Sequence, residues 1–137
     1  MNDFQYHDDH FQKVNKYTPG DLIKVLPPLV TKIRQEVFEW REKNYEGVSD
    51  TTRTLLQWWF FKEHENFRYY FAQREAVETI IYLFEVAKIR DKDQLFNNYN
   101  SLTDVTLQHF VESWLRFVTK MATGSGKTKV MSLLLLW

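Results

Sequence analysis

The segment Gly124–Thr128 constrains the fold of this chain more than any other. Its two glycines, one residue apart, precede Lys127 and Thr128. The β-rich stretch Arg116–Met121 comes before it and predicts a strand, and the apolar stretch Lys127–Trp137 comes after it and predicts a helix. Because glycine allows tight turns and positive φ, the segment predicts a strand–turn–helix unit whose N–H groups converge at the helix start.

Lysine and threonine directly after such a turn indicate a phosphate-binding loop. Backbone N–H groups and the helix N-terminus both favour a bound anion. In this interpretation Lys127 reaches the β- and γ-phosphates, and the Thr128 hydroxyl binds Mg²⁺. The predicted nucleotide-binding residues of the loop are Thr123, Gly124, Ser125, Gly126, Lys127 and Thr128, with Lys127 and Thr128 catalytic and Thr128 the metal ligand.

The loop departs from the strict phosphate-loop pattern at one position. That pattern begins with a glycine five residues before the glycine–lysine pair, and Met121 occupies this position. From the residues alone, the alternative is a glycine turn that only caps a helix.

The composition excludes several classes of protein. With 137 residues, of which 44% are apolar, the chain suits one domain or a piece of one. It has no cysteine, so thiolate metal sites and disulfides are excluded. The N-terminus carries no secretory signal, and no run approaches the roughly 20 apolar residues of a membrane helix. We therefore expect a cytoplasmic protein without membrane contact.

Apolar periodicity predicts three helices before the loop, over residues 28–43, 50–62 and 72–88. Ser49 or Asp50 is a suitable N-cap for the second. In the third, the predicted apolar stripe is Val77, Ile80, Ile81, Phe84 and Ala87, and the predicted polar face is Arg74, Glu75, Glu78 and Glu85. The run Trp58–Phe61 has two interpretations, a buried core cluster or a platform for stacking bases.

The remaining polar stretches are weaker in signal. The segment 91–101 predicts a loop, and 103–110 predicts a short helix that contains a structural histidine, His109. His7 and His10 flank two aspartates, which indicates either a metal site or a solvated tail; with no second ligand cluster, we favour the tail. Asp91-Lys92-Asp93 is interpreted as a solvated charge run, because a nuclease site would require strand context.

The loop and its flanks resemble a known family. Ala122–Thr128 resembles motif I of superfamily 2 helicases and translocases, which often lack the first glycine. The longer stretch Arg116–Met131 is similar to the start of the helicase domain in DEAD/DEAH-box restriction endonuclease subunits, such as the type III Res subunit and type I motor subunits. Weaker similarity to their N-terminal region extends the resemblance over roughly Leu29–Trp137.

A second element of the same family lies upstream. Phe67–Val77 resembles its adenine-recognition element, in which a glutamine follows an aromatic stretch at the head of a helix. The resemblance implies that Gln73 reads the adenine edge, since an amide offers a donor and an acceptor together. An aromatic residue among Tyr69, Tyr70 and Phe71, of which we favour Phe71, would then pack near the base.

The resemblance also implies a fold and a division of the chain. The chain is expected to be mostly α with a single strand–phosphate loop–helix unit, the truncated start of an α/β RecA-like domain. The expected parts are a loose lead-in, residues 1–27; a helical N-terminal region, 28–66; and the incomplete start of the ATP-binding domain, 67–137. The sequence has no Asp-Glu-x-His segment, no second motor domain with its arginine finger and no endonuclease motif.

The expected function is therefore that of the N-terminal part of an ATP-dependent DNA translocase in a restriction–modification system, inactive alone. Its ligands would be ATP and Mg²⁺, and its partners double-stranded DNA, contacted through other parts of the protein, and a methyltransferase or specificity subunit. Two alternatives stay open: a small helical interaction module with a vestigial phosphate loop, and a fragment of a repair or remodelling helicase without a nuclease.

Overall fold

The computed structural model describes residues 28–64, 67–99 and 116–137. These ranges contain five α-helices: α1 (Pro28–Glu42), α2 (Asp50–Phe60), α3 (Phe71–Ile81), α4 (Lys92–Tyr99) and α5 (Lys127–Leu136). A π-helical turn, Tyr82–Val86, continues α3. The expectation of a mostly α chain is confirmed. None of these helices combines the length and apolar character needed to cross a membrane.

The prediction of a strand at Arg116–Met121 is wrong. Residues 116–122 have no regular secondary structure, and the described ranges contain only an isolated antiparallel bridge, between His64 and Phe67. A strand requires a neighbour for its ladder of N–H and C=O groups, and these ranges supply none. The described residues therefore do not show the α/β character of the expected fold.

Two of the three predicted N-terminal helices begin and end close to their expected bounds. Proline at the start of α1 has a fixed φ that suits a first helical position. Ser49 caps α2, where its hydroxyl accepts a hydrogen bond from the Thr52 N–H at 3.2 Å. The third helix begins as expected, but its last turn widens from α to π.

The loop predicted at 91–101 is wrong over most of its length. Residues 92–99 form α4, because Asp91 caps it. The Asp91 carboxylate accepts from the Gln94 N–H at 2.8 Å, and the Gln94 side chain accepts in return from the Arg90 N–H at 2.6 Å. The Asp91 bond caps the N-terminus of α4, and the Gln94 side chain ties Arg90, the residue before the cap, to the first turn. The predictions for His7 and His10, for 103–110 and for His109 lie outside the described residues.

One apolar core joins α1, α2, α3 and α5. Its buried members are Val37, Trp40, Tyr45, Leu56, Trp59, Val77, Ile81, Val130 and Leu133. α3 packs against both α1 and α5. A smaller cluster of Leu83, Ile89 and Tyr99 holds α4 against the end of the π-helical turn. The N-terminal helices and the loop-bearing helix α5 therefore share a core.

The predicted polar face of α3 is partly wrong. Arg74 is 7% exposed and Glu78 is completely buried. Both lie one helical turn from Val77 and Ile81 on the same face, because residues three and four apart are neighbours on a helix. Their partners on α1 and in the turn after it make this burial possible.

Candidate functional site

The loop ahead of α5 has the backbone geometry that its glycines predict. Gly124 and Gly126 have φ of 79° and 80°, in the left-handed region. Gly126 is the N-cap of α5, and helix hydrogen bonds begin with Lys129 N–H to Gly126 O at 2.9 Å. Ser125 closes the turn, with its N–H and its hydroxyl both donating to Ala122 O, at 3.3 and 2.6 Å.

Lys127 folds back across the loop. Its ammonium donates to the carbonyl oxygens of Met121 and Ala122, each at 3.2 Å. The side chain is exposed, so these two carbonyls hold an otherwise solvated charge beside the turn. The start of α5 favours an anion through its free N–H groups, and the Lys127 ammonium lies in the same loop.

Thr128 lies exposed in the first turn of α5. Its hydroxyl is a hard oxygen ligand of the kind Mg²⁺ accepts beside phosphate oxygens and water. Within the described ranges no group of three or more histidine, aspartate or glutamate side chains is placed to hold a metal ion. The donor set thus fits a magnesium ion that is held mainly by the phosphates and helped by one protein hydroxyl.

Gln73 joins the head of α3 to the loop. Its amide nitrogen donates to Ser125 O at 3.0 Å, and its amide oxygen accepts from the Tyr70 N–H at 3.1 Å. The residue is 4% exposed. A Cβ built on Gly126 would lie 2.1 Å from the Gln73 amide nitrogen, so a larger residue there would displace the Gln73 amide and be strained at its φ of 80°. The structure therefore brings Gln73 into contact with the 121–128 loop.

The aromatic residues before Gln73 differ in their surroundings. Phe71 is partly buried, with the Arg34 guanidinium 5.8 Å from its ring centroid. Tyr69 stacks edge-to-face with Phe67 and Phe60, at 4.7 and 5.2 Å, and burial raises the pKa of its hydroxyl. Of the predicted site residues, Thr123 and Gly124 are exposed, while Ser125 and Gly126 are half-buried against Gln73.

A buried ionic network lies next to this site and was not predicted from the sequence. Glu78 accepts from the Arg41 side chain, from Arg74 Nε at 2.8 Å and from the Tyr45 hydroxyl at 2.5 Å. Arg74 also donates to the Tyr45 oxygen at 3.1 Å. Burial and the nearby Glu78 raise the pKa of Tyr45, so its hydroxyl stays protonated. Burial alone would lower the pKa of Arg74, but Glu78 and Tyr45 outweigh it and raise that pKa.

Arg74 lies in the first turn of α3, directly after Gln73, so its bonds to Glu78 and Tyr45 hold that turn in place. It also holds Tyr45 with φ of 57°, a value that is uncommon for a bulky residue. One signal for it was present in the sequence. Arg74, Val77, Glu78 and Ile81 have the spacing of a single helix face, which places two opposite charges within a buried stripe.

A second carboxylate joins the far end of α5 to the rest of the core. Glu85 accepts from Trp137 Nε1 at 2.9 Å, from the Thr52 hydroxyl at 2.6 Å and from the Ser49 N–H at 3.0 Å. Burial opposes ionisation, but these hydrogen bonds and Lys88 outweigh it and lower the pKa of Glu85. The helix that carries the loop is thus held at both ends by α3 and its π-helical continuation.

Comparison with known proteins gives no relative for this chain. No family model, no curated protein and no solved structure matches it.

Proposed function

We propose that the 121–128 loop binds the triphosphate of ATP together with Mg²⁺. The carrying observation is the Lys127 ammonium, held by two carbonyls across a turn that has positive φ at both glycines. Phosphate oxygens would replace those carbonyls as acceptors and bind the charge more strongly. Bound Mg²⁺ would neutralise phosphate charge, with Thr128 as its protein ligand.

We further propose that the chain is the leading part of an ATP-dependent DNA translocase or helicase subunit of a restriction–modification system. The support is the order of its elements, a glutamine at the head of a helix followed by a phosphate loop, and the contact between the two. In this proposal the loop belongs to an α/β RecA-like domain. Gln73 retains one N–H and one lone pair beyond its two observed bonds, enough for an adenine edge.

Hydrolysis needs groups that the sequence does not contain. The sequence offers Thr128 but no Walker B carboxylate pair and no second motor domain with an arginine finger. An arginine finger alone contributes about 10³-fold or more in rate. This chain is therefore proposed to bind nucleotide without turning it over.

A helical interaction module with a vestigial phosphate loop is the second candidate. The observation that favours it is the shared core of α1, α2, α3 and α5, which contains no sheet in the part of the chain that the structure describes. In such a module the loop would cap α5, and Lys127 would serve only its two carbonyl contacts.

The deciding experiment measures binding of a fluorescent ATP analogue with Mg²⁺ by the whole chain. Lys127→Ala is expected to weaken binding at least tenfold, because it deletes a charge-assisted contact. Lys129→Ala is the matched control on the same helix, since the Lys129 ammonium lies over the Phe67 ring, 4.7 Å from its centroid. Equal affinities for the wild type and both variants, or no binding by any of them, would reject ATP binding at the loop and favour the interaction module.

A further inference from the structure

A cavity of about 180 Å³ opens beside the first turn of α3. Apolar cavities of about 150 Å³ hold a single benzene ring, whereas pockets for drug-sized ligands begin at about 300 Å³. The cavity is therefore large enough for a ligand with one ring and too small for a nucleotide. Arg74 lines it, while the neighbouring residue Gln73 contacts the 121–128 loop.

Aromatic rings form much of the cavity wall. Of the run Trp58–Phe61, Trp59 belongs to the core, and Phe60 and Phe61 line the cavity beside it. The Arg74 guanidinium lies over both phenyl rings, 5.4 and 4.8 Å from their centroids. Because this cation covers one face of each ring, the two residues form an apolar wall around a charge and not an open platform for stacking bases.

The Arg74 side chain is 9% exposed and still has hydrogen-bonding capacity. Its Nε donates to Glu78 and its Nη2 to the Tyr45 hydroxyl, whereas Nη1 has no hydrogen-bond partner in the described part of the chain. In that part, Arg53 Nε is the one buried side-chain nitrogen or oxygen without a partner, so Nη1 of Arg74 is accessible. Since Arg74 lines the cavity, the Nη1 N–H groups face it.

The ionic network behind the cavity carries an excess positive charge. Arg41 and Arg74 both pair with Glu78, and Tyr45 stays neutral because burial and Glu78 raise the pKa of its hydroxyl. Two largely buried cations thus share one carboxylate, and a buried charge without a counter-ion is costly. An anion in the cavity would balance this excess. The charged side chains that line the cavity are mostly cationic: Lys62, Arg68 and Arg74, against the acidic Glu63.

We propose that this cavity binds a small aromatic carboxylate, with its ring against the phenyl wall and its carboxylate on Arg74 Nη1. A guanidinium–carboxylate hydrogen bond is charge-assisted and therefore stronger than a bond between neutral groups. The wall selects against inorganic anions, since only a ligand with a ring removes apolar surface from water as well. This function goes beyond nucleotide binding at the loop and does not depend on it.

The first test titrates the wild-type whole chain with benzoate and with its neutral isostere benzamide, followed by ligand-observed NMR. Benzoate is expected to bind about tenfold more tightly or better, because only benzoate forms the charge-assisted bond. Inorganic phosphate at the same concentration is expected to leave benzoate bound, because it has no ring. The proposal is overturned if benzoate does not bind, if benzamide binds as tightly, or if phosphate displaces benzoate.

The second test compares two conservative variants of the network. Arg74→Lys keeps a positive charge near Glu78 but removes Nη1, so it is expected to weaken benzoate binding about tenfold or more. Arg41→Lys is the matched control, because Arg41 shares Glu78 but does not line the cavity, and it is expected to bind benzoate as the wild type does. Circular dichroism confirms that each variant keeps its helices; should Arg74→Lys unfold, the comparison of benzoate with benzamide decides alone. Equal losses in the two folded variants would overturn the contact with Nη1.

A third test separates the cavity from the phosphate loop. Benzoate binding is measured without nucleotide, so a failure of the chain to bind ATP leaves this proposal intact. ATP with Mg²⁺ is then added to the benzoate complex and is expected to leave benzoate bound. Displacement of benzoate by ATP would overturn the proposal, because the cavity would then hold part of the nucleotide.

Discussion

The indole N–H of Trp137 donates a hydrogen bond to the Glu85 carboxylate, and the Gln73 amide donates one to the Ser125 carbonyl. Both pairs are separated by 52 residues, and their hydrogen bonds are 2.9 and 3.0 Å long. α5 therefore runs parallel to α3 in a fixed register, held at its start by an amide and at its end by a carboxylate. Val77 and Ile81 of α3 and Val130 and Leu133 of α5 fill the core between the two clamps.

Glu85 is expected to make stability depend on pH in the acidic range. Its pKa is lower in the folded chain than the ordinary value of 4.5. The contribution is thus fully present above pH 4.5 and is lost as the pH falls through the folded pKa. Thermal unfolding of the wild type and of Glu85→Gln should differ most near neutral pH, and the gap should shrink on acidification. A gap that is constant between pH 7 and pH 3 would contradict this.

Glu78→Gln is expected to destabilise the fold by about 3–5 kcal/mol, because it leaves two buried guanidinium groups without their carboxylate. Glu75→Gln, one turn earlier on α3, is the matched control. Glu75 pairs with Arg34 at a partly exposed position, so its loss should cost about 1 kcal/mol or less. Urea unfolding followed by circular dichroism measures both. Similar losses for the two variants would show that the Glu78 network contributes no more than a surface pair.

Gly126→Ala and Gln73→Ala are expected to be coupled. Alanine at position 126 brings its Cβ against the Gln73 amide and is strained at φ of 80°. In the Gln73→Ala background the steric part disappears and only the backbone strain remains. The double variant should therefore lose less free energy of unfolding than the sum of the losses of the two single variants. Strict additivity would mean that Gln73 does not lie against Gly126 in solution.

Gln73→Ala carries a further expectation for base choice, which stays a prediction of the resemblance. If Gln73 reads adenine, its loss should weaken ATP binding and leave GTP binding little changed, at a cost of about 1–3 kcal/mol. Competition of ATP and GTP against a fluorescent analogue measures the preference. Unchanged constants for both nucleotides would leave Gln73 with only its contact to the loop.

Three tyrosine hydroxyls are expected to ionise at a higher pH than an exposed tyrosine. Burial, Glu36 and Glu39 raise the pKa of Tyr82 to about 12, and burial with Glu36 also raises that of Tyr99. Burial and Glu78 do so for Tyr45. Because unfolded tyrosine ionises near its ordinary pKa of 10.0, the free energy of unfolding should fall as the pH rises above that value. Absorbance titration of the folded chain should show fewer ionising tyrosines at pH 11 than the chain in urea. Identical titrations would refute the buried contacts.

Local patterns predicted those parts of the fold that local chemistry determines. The Ser49 cap and the start of α5 follow from side chains and glycines within a few residues, and both are confirmed. The strand at 116–121 failed because a strand depends on a distant neighbour, which β-rich composition does not supply. The loop predicted at 91–101 is wrong because Asp91 caps a helix there, with the Gln94 N–H donating to its carboxylate.

The candidate site divides in the same way. The hydrogen bond between Gln73 and Ser125 joins residues 52 positions apart, so neither motif could predict it alone, and the adenine role of Gln73 stays a prediction. The Glu78 network could not be derived from one helix, because Arg41 and Tyr45 lie more than 30 residues away and supply the partners that make a buried carboxylate tolerable.

The π-helical turn Tyr82–Val86 determines the direction in which the side chains just after α3 point. Such a turn accommodates one extra residue, with bonds such as Ala87 N–H to Tyr82 O at 2.9 Å. Removing one residue there would restore an α-helix and rotate the following side chains by about 100°. Glu85 would turn away from Ser49, and Ile89 would leave its pocket against Leu83 and Tyr99. A single-codon deletion in this segment is therefore expected to disrupt the packing after α3, even if the remaining residues keep the same character.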